Sequence, residues 1–343
     1  MNFNKIGNST KSTILALSSA VFLTIILLSV SSNNPLQSIS YFFSGPFSNL
    51  YNFGNMLDKA GLLIFAGLGM SIAFRAGVFN LGGEGQVYAG ATAAVIISIS
   101  FDFPGKFTGI VTVISIGIIM GALIAGLSGF LRKQWDTDEL ISSFLVSGAI
   151  IHLADYLISS PFKDNSSFLN STVKIPEILF LKQFLGSSHL NLSFFIAVII
   201  SFAAFIYLFR STIGYESRLS GLNRKFADYG GIPVKRHFII PMLISGGLYG
   251  AAGSFAVLGN FHMGIKGFTS GLGWNGIAVA LIAGNNPAWV IPSALIFAYL
   301  DAGTQLAMIH SDLSFEFSNL IKAVIFFLIT VRRFSIKKEN PIG

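Results

Sequence analysis

Side chains able to hydrogen-bond or carry charge are crowded into one glycine-rich stretch, Arg75-Ala-Gly-Val-Phe-Asn-Leu-Gly-Gly-Glu-Gly-Gln86. Gly77, Gly82, Gly83 and Gly85 make it hard to keep helical, yet it joins two apolar windows. Non-helical backbone at membrane depth persists only against protein or a water-filled cavity. Arg75, Asn80, Glu84 and Gln86 are therefore candidates to line a path for a polar solute, and the amides of Asn80 and Gln86 suit an uncharged one. The plainer reading is an inner turn, with Glu84 at a helix N-terminus, where the dipole favours an anion.

Two further charges sit inside apolar runs. Asp301 lies 7 residues before Met308 and Lys322 lies 7 residues after Phe315. At about 1.5 Å per residue both reach roughly 10 Å deep, which predicts an intramembrane pair across antiparallel neighbours. His152 and Asp155, three apart, predict a local bond. Gly126-Leu-Ser-Gly129 copies the form of an intramembrane serine-protease motif, but no histidine is committed to Ser128. The five histidines are at least 25 residues apart, cysteine is absent, and no G-x-x-x-x-G-K-[ST] phosphate loop occurs. No metal site, no cofactor and no catalytic site are expected.

The elements that must hold these residues follow from composition. Of 343 residues, 52% are hydrophobic and 11% charged, with a mean hydropathy of +0.70. Soluble domains average about 45–50% apolar and about 25% charged. A disordered chain, a nucleic-acid-binding domain and a disulfide scaffold are excluded; the chain belongs in a bilayer. Charge-poor windows predict spans at Ile14–Val30, Ala60–Phe74, Gly85–Phe101, Phe107–Leu131, Leu140–Ile158, Leu192–Phe209, Ile239–Leu258, Phe268–Ala283, Ala288–Met308 and Phe317–Val331. With the N-terminus inside, 15 of the 22 lysines and arginines fall in inner stretches and 6 in outer ones, as the positive-inside rule requires. That asymmetry explains the net charge of +7 without a nucleic-acid partner. The expectation is an all-α polytopic membrane protein of about ten transmembrane helices, 1–343 forming a single domain with both termini cytoplasmic. Residues 159–191 would be an extracytoplasmic loop and 210–238 a cytoplasmic one. Gly117/Gly121 and Gly246/Gly250 stand at helix-packing spacing and predict close helix contacts.

The inner loop predicts one short amphipathic helix over 217–233. Leu219, Leu222, Phe226 and Tyr229 recur at spacings of 3, 4 and 3, on one face. Ser217 or Ser220 would cap its start, and Gly230 would end it in the left-handed conformation before Pro233. So short a helix needs a surface to dock on, either lipid headgroups or a cytoplasmic partner.

Three blocks then become familiar. Arg75–Gln86 resembles the "AGVFN-GxEGQ" signature of nucleoside permeases of bacterial ABC importers, within the larger group of ribose and branched-chain amino-acid permeases. Gly214–Ile232 resembles the coupling segment of that group, with Arg218, Gly221, Asn223, Ala227 and Gly231 at matching positions. Gly273-Trp-Asn-Gly-Ile-Ala-Val-Ala280 with Asn285-Asn286-Pro287 resembles its "G-x-x-G-IAVA…NNP" block, although Ile282-Ala283-Gly284 replaces the usual Leu-Gly-Arg. The resemblance implies a pore-forming subunit in the bacterial cytoplasmic membrane that hydrolyses nothing itself. A separate cytoplasmic ABC ATPase would dock on Arg218, Leu219, Gly221, Leu222, Asn223, Phe226, Ala227 and Gly231. A second, different permease chain would complete the pore and an extracellular binding lipoprotein would deliver nucleoside. Trp274 and Asn275 would join Arg75, Asn80, Glu84 and Gln86 along the path. The competing expectation is an ion-gradient-driven carrier using Asp155, Glu84 or Asp301.

Overall fold

The computed structural model describes residues 18–310 and, beyond them, 320, 321, 323, 324 and 327. Among the described residues all regular structure is helical, with isolated extended bridges at Lys163↔Thr172 and Ser171↔Ile265. The helices are α1 (Ser18–Ser31), α2 (Pro35–Ser44), α3 (Leu50–Arg75), α4 (Gly83–Ser100), α5 (Lys106–Trp135), α6 (Glu139–Ser159), α7 (Leu192–Arg210), α8 (Thr212–Leu222), α9 (Arg224–Tyr229), α10 (Arg236–Ala256), α11 (Leu272–Ile282) and α12 (Pro287–Ile309). Among the described residues, six segments are long and apolar enough to cross a bilayer: α3, α5, α6, α7, α12, and α10 with its π-helical extension to Phe261. This is a multi-pass membrane protein.

The remaining expected spans differ in kind. Gly85–Phe101 is realised as α4, whose polar start, Gly-Glu-Gly-Gln, is buried rather than exposed. Phe268–Ala283 shortens to the 11 residues of α11, because Gly267, Ser270 and Gly271 all take positive φ and prevent a helix there. Most of Phe317–Val331 lies outside the described residues. Helix α2 was not foreseen; Pro35 at its first position, where no N–H partner is needed, starts it.

Residues Asp58–Ala294 form one compact unit. Its centre is α4, α5 and α10, with α6 against α4 and α5, and α11 against α4. Lipid tails are as apolar as leucine, so helices associate there by close packing of small residues. Gly121 and Gly246 fill that role: a Cβ on either would strike the other's carbonyl oxygen, and one on Gly250 would strike that of Gly117. The expected glycine contacts are thus α5 on α10. The segment 171–181 is sewn along 258–266 by backbone bonds, Thr172 N to Gly264 O at 2.9 Å, Ile175 N to His262 O at 2.9 Å and Leu181 N to Leu258 O at 3.0 Å. His262 stacks on Phe180 at 3.8 Å, and burial, with His189 and Lys174 nearby, lowers its imidazole pKa.

The described residues up to Leu57 and from Leu295 form a second unit. Here Gly303 sits against the Phe42 carbonyl, Tyr299 donates to Phe43 O at 3.1 Å and Tyr41 stacks on His310 at 4.1 Å. Asp301 is buried and accepts from Gln305 Nε2 at 2.9 Å. Its expected partner Lys322 lies outside the described residues.

The 210–238 loop folds as two helices instead of one. Asn223, in extended conformation, accepts from Phe226 N at 3.1 Å and starts α9 afresh, which is what a strong N-cap residue does. Helix α8 begins earlier than expected, capped by Ser211 on Gly214 N at 3.0 Å. Ser217 and Ser220 are buried inside it rather than capping it. The left-handed residue is Gly231, φ +78°, and not Gly230.

Candidate functional site

Two connected regions gather the residues singled out above. In the first, Glu84 lies in the opening turn of α4 and reaches across to the start of α11. Its Oε1 accepts from Gly271 N at 3.0 Å and its Oε2 from Gly273 N at 2.7 Å. One carboxylate thus meets orphan donors of an 11-residue helix, with the favourable charge for that helix end. Gly273 must be glycine, since a Cβ there would meet the Glu84 backbone at 2.5 Å.

Beside this junction is a cavity of about 480 Å³, lined by Glu84, Trp274 and one stretch of α6 from Phe144 to Ile151. Its size falls within the about 300–1,000 Å³ of small-molecule sites. The Trp274 and Phe144 rings meet edge to face at 6.1 Å, and both stay substantially exposed. Ser147 is turned to the protein, accepting from Gly85 N at 2.8 Å. The lining is mostly apolar, and its polar groups already hold backbone. Asn275, half-buried on α11, does not line it.

Asn80 and Gln86 form a reciprocal amide pair, each nitrogen donating to the other's oxygen at 2.8 Å. Asn80 also donates to Ser245 Oγ at 2.9 Å and accepts from Gly82 N at 3.1 Å. Both side chains are buried. The non-helical turn 76–82 is thereby pinned from inside to α4 and α10.

The second region is the end of the unit carrying the 210–238 loop. Arg75 is not in the cavity. Its Nε donates to Asn285 O at 2.7 Å and its Nη2 to Gly284 O at 3.2 Å, clamping the turn that ends α11. Asn285 and Gly284 have φ +56° and +61°, a turn whose carbonyls the guanidinium gathers. Gly221 lies on the same turn of chain: a Cβ there would meet Arg75 O at 2.5 Å and Gly77 N at 2.7 Å. Arg224 donates to Gly77 O at 3.1 Å. Its guanidinium lies over Phe238 at 4.9 Å, and that of Arg132 lies over the same ring at 4.8 Å. Arg132 pairs with buried Glu139, which also accepts from Phe79 N at 3.2 Å. Arg218 lies over Phe209 at 5.0 Å.

The faces of α8 and α9 are opposite to a simple expectation of burial. Gly214, Ser217, Ser220 and Ala227 are buried against the unit, whereas Leu222, Phe226 and Tyr229 are 83%, 61% and 93% exposed. Leu219 is half-buried, and Gly231 has open space around it. Ser217 Oγ and Glu216 Oε2 flank the two nitrogens of His237 at 2.9 and 3.2 Å. The row has the order of a hydrolytic triad, but the hydroxyl and imidazole are each 1% exposed, so it serves to fasten α8 to α10.

Sequence reasoning missed Phe144, Ser147, Phe238, Arg132 and Glu139. Glu139 alone left a trace, an acidic cluster with Asp136 and Asp138 at a helix start. The aromatic members sit among 34 phenylalanines, and nothing local separates them from lipid-facing ones.

Comparison with known proteins bears on this architecture. Residues 52–330 match the family model of the branched-chain amino acid transport system / permease component. A guanosine ABC transporter permease protein of Bacillus subtilis is 30% identical over 89% of this chain and 88% of its own. A probable riboflavin import permease protein of Treponema pallidum is 29% identical over 91% and 82%. A nucleoside ABC transporter permease protein of Lactococcus lactis is 28% identical over 95% and 93%. A family match over most of the length of a helical membrane chain makes this a transport subunit rather than an enzyme: the chain belongs to the branched-chain amino acid transport system permease family.

Proposed function

We propose that the chain forms one half of the translocation pore of an ATP-driven importer for nucleosides in a bacterial cytoplasmic membrane. The observation that carries this is the outward-facing apolar row Leu222, Phe226 and Tyr229 on helices bonded directly to the 75–82 turn. A cytoplasmic ABC ATPase would cover such a row, since three large apolar side chains left in water are unfavourable by about 25 cal/mol per Å² of exposed surface. The similarity to guanosine and nucleoside permeases supports the substrate class. The widely exposed apolar side chains of α6 and α7 suit lipid and a second, different permease chain. An extracellular binding lipoprotein would present the nucleoside to the 159–191 side. In this reading the spans number ten and both termini are cytoplasmic.

Within the proposal, Glu84 and Trp274 line the path. Asn80, Gln86 and Asn275 build its wall, and Arg75 ties that wall to the loop that receives the ATPase. The 301–322 charge pair would hold spans nine and ten together.

A mild-detergent pull-down of the tagged chain from its own host, read by mass spectrometry, tests the reading. An ATPase is expected to co-purify, and to be lost from the Leu222→Asp/Phe226→Asp variant. Recovery of the chain alone, still moving nucleoside in proteoliposomes without ATP, would overturn it. A second expectation separates docking from transmission. Arg224→Ala leaves the exposed row intact but removes a charged hydrogen bond to Gly77, a class worth about 1.5–3 kcal/mol. ATP hydrolysis by the reconstituted complex should persist while uptake per ATP falls about 10- to 100-fold; unchanged uptake would show that the bond transmits nothing.

A further inference from the structure

Helix α4 holds the segment that precedes α11 at two points one turn apart. Glu84 receives the N–H groups of Gly271 and Gly273. Four residues further along α4, the Tyr88 hydroxyl receives Gly267 N at 2.9 Å and donates to Asp155 Oδ1 on α6 at 2.5 Å. Lys266 Nζ lies 3.9 Å from the other oxygen of Asp155. The sequence leads instead to a bond between His152 and Asp155; the carboxylate has turned to α4 and to the 266–271 segment.

This second layer lies one helical turn along α4 and α6 from residues that line the cavity. Residues i and i+4 stack along one helix face, about 5.4 Å apart. Glu84 and Ile151 line the cavity, and Tyr88 and Asp155 are their i+4 neighbours. Tyr88, Ala154 and Ile158 form a buried apolar cluster on which both Ile151 and Phe268 pack. The Tyr88 and Phe268 rings meet at 5.4 Å. The layer is on the side away from Arg75 and the 210–238 loop, since α4 runs from Gly83 away from that junction. It is also joined by main chain to the sewn outer-loop segment, through Lys266 N to Asn170 O at 3.0 Å and the Ser171↔Ile265 bridge.

We propose that Tyr88, Asp155 and Lys266 form a latch that holds residues 266–271 across the end of the cavity remote from the coupling loop, so that breaking it opens the cavity to water on that side. Tyr88 is the positioning residue, because its one hydroxyl both receives the segment and donates to α6. Lys266, about half exposed, is the member that an arriving partner can reach. Displacing it, or the outer-loop segment bonded beside it, pulls on the same backbone that carries Trp274.

The chain contains no cysteine, so a single one reports cleanly. Gly148 lines the cavity, and a Cβ there meets nothing within 4 Å. Gly148→Cys is to be labelled in intact cells with a membrane-impermeant maleimide. Slow labelling is expected with the native latch, and labelling at least about tenfold faster with Tyr88→Phe, which keeps the ring packing and removes only the hydroxyl. Asp155→Asn should act in the same direction, and Asp155→Glu should return labelling toward the slow rate. Equal rates in native-latch and Tyr88→Phe proteins of matched membrane abundance overturn the latch, as does rapid labelling with the latch intact. The readout needs neither ATP nor solute, so its outcome is independent of the nucleoside reading.

Discussion

Gly246→Leu is expected to remove folded protein from the membrane, and Gly246→Ala to lower it sharply, whereas Gly247→Ala next door is tolerated. At Gly246 the added carbon has no direction in which to relax: it strikes the Gly121 carbonyl oxygen and the Ala125 methyl on α5. Backbone of a neighbouring helix moves only with the whole helix, and α5 is locked again one turn away, where Gly250 faces the Gly117 carbonyl. Overpacking a fitted core costs about 1–3 kcal/mol where side chains can shift, and more is expected where they cannot. No hydrophobic gain offsets it, because separated helices in lipid are already solvated by apolar chains. At Gly247 a methyl would lie 3.3 Å from Ile118 Cγ2, a side-chain contact on a partly exposed residue that a shift of a few tenths of an ångström relieves. Membrane abundance and the melting temperature of the purified chain check the series. Equal losses at 246 and 247 would mean that the close approach to the Gly121 backbone is not what sets the cost.

That contact was legible in part. The spacing of Gly117/Gly121 and Gly246/Gly250 is enough to predict close approach, since only small residues let backbones meet, but it does not say which helix meets which. The spans were legible for the same reason: a charge-free window of sufficient length has one inexpensive environment. What failed was local backbone. Phe268–Ala283 is as apolar as its neighbours, yet Gly267, Ser270 and Gly271 adopt positive φ, a choice made by the donors that Tyr88 and Glu84 accept from far along the chain. Asn223 is a different failure. Its signal was present, an N-cap residue inside a proposed helix, and the regular apolar spacing on both sides concealed it. The same spacing singles out Leu219, Leu222, Phe226 and Tyr229 as one face of one helix; the chain breaks that helix in two and exposes the last three, and only three-dimensional packing shows that Gly214, Ser217, Ser220 and Ala227 are what the unit buries.

The polar turn divides in the same way. Asn80 and Gln86 were chosen as amides able to hold an uncharged solute, and their hydrogen-bonding capacity goes largely to each other, Ser245 and Gly82. An amide pair six residues apart across a glycine-rich bend has no periodic signature, because its register is set by the bend. Arg75 obeys the positive-inside rule in sequence and acts as a carbonyl clamp in space. Both observations put the specificity of the turn in its shape. Under the proposed function, a rigid bend between the 210–238 loop and the start of α4 would transmit displacement, and a flexible one would absorb it.

Glu84→Ala is expected to cut uptake about a hundredfold with a much smaller loss of abundance. The carboxylate makes two charge-assisted bonds, each of a class worth about 1.5–3 kcal/mol, to the N-terminus of α11. The first N–H groups of a helix have no partner within it, and this start is largely buried, so its first turn depends on that acceptor. Without it the turn carrying Trp274 unwinds into the cavity. The glycine packing of α5 on α10 at Gly121 and Gly246 does not involve this carboxylate and should persist. Glu84→Gln keeps one acceptor and sets an amide N–H against a backbone N–H, so an intermediate loss of about tenfold is expected. Glu84→Asp keeps the charge but is one methylene short, and should resemble the glutamine variant. An ion-coupled carrier would behave otherwise: there the carboxylate must gain and lose its ion each cycle, so Glu84→Gln would abolish dependence on the ion gradient while solute exchange continued. Uptake measured in energised cells, and again after collapsing the gradient with ATP preserved, separates the two. Normal uptake by Glu84→Ala at normal abundance would show that α11 needs no acceptor from α4.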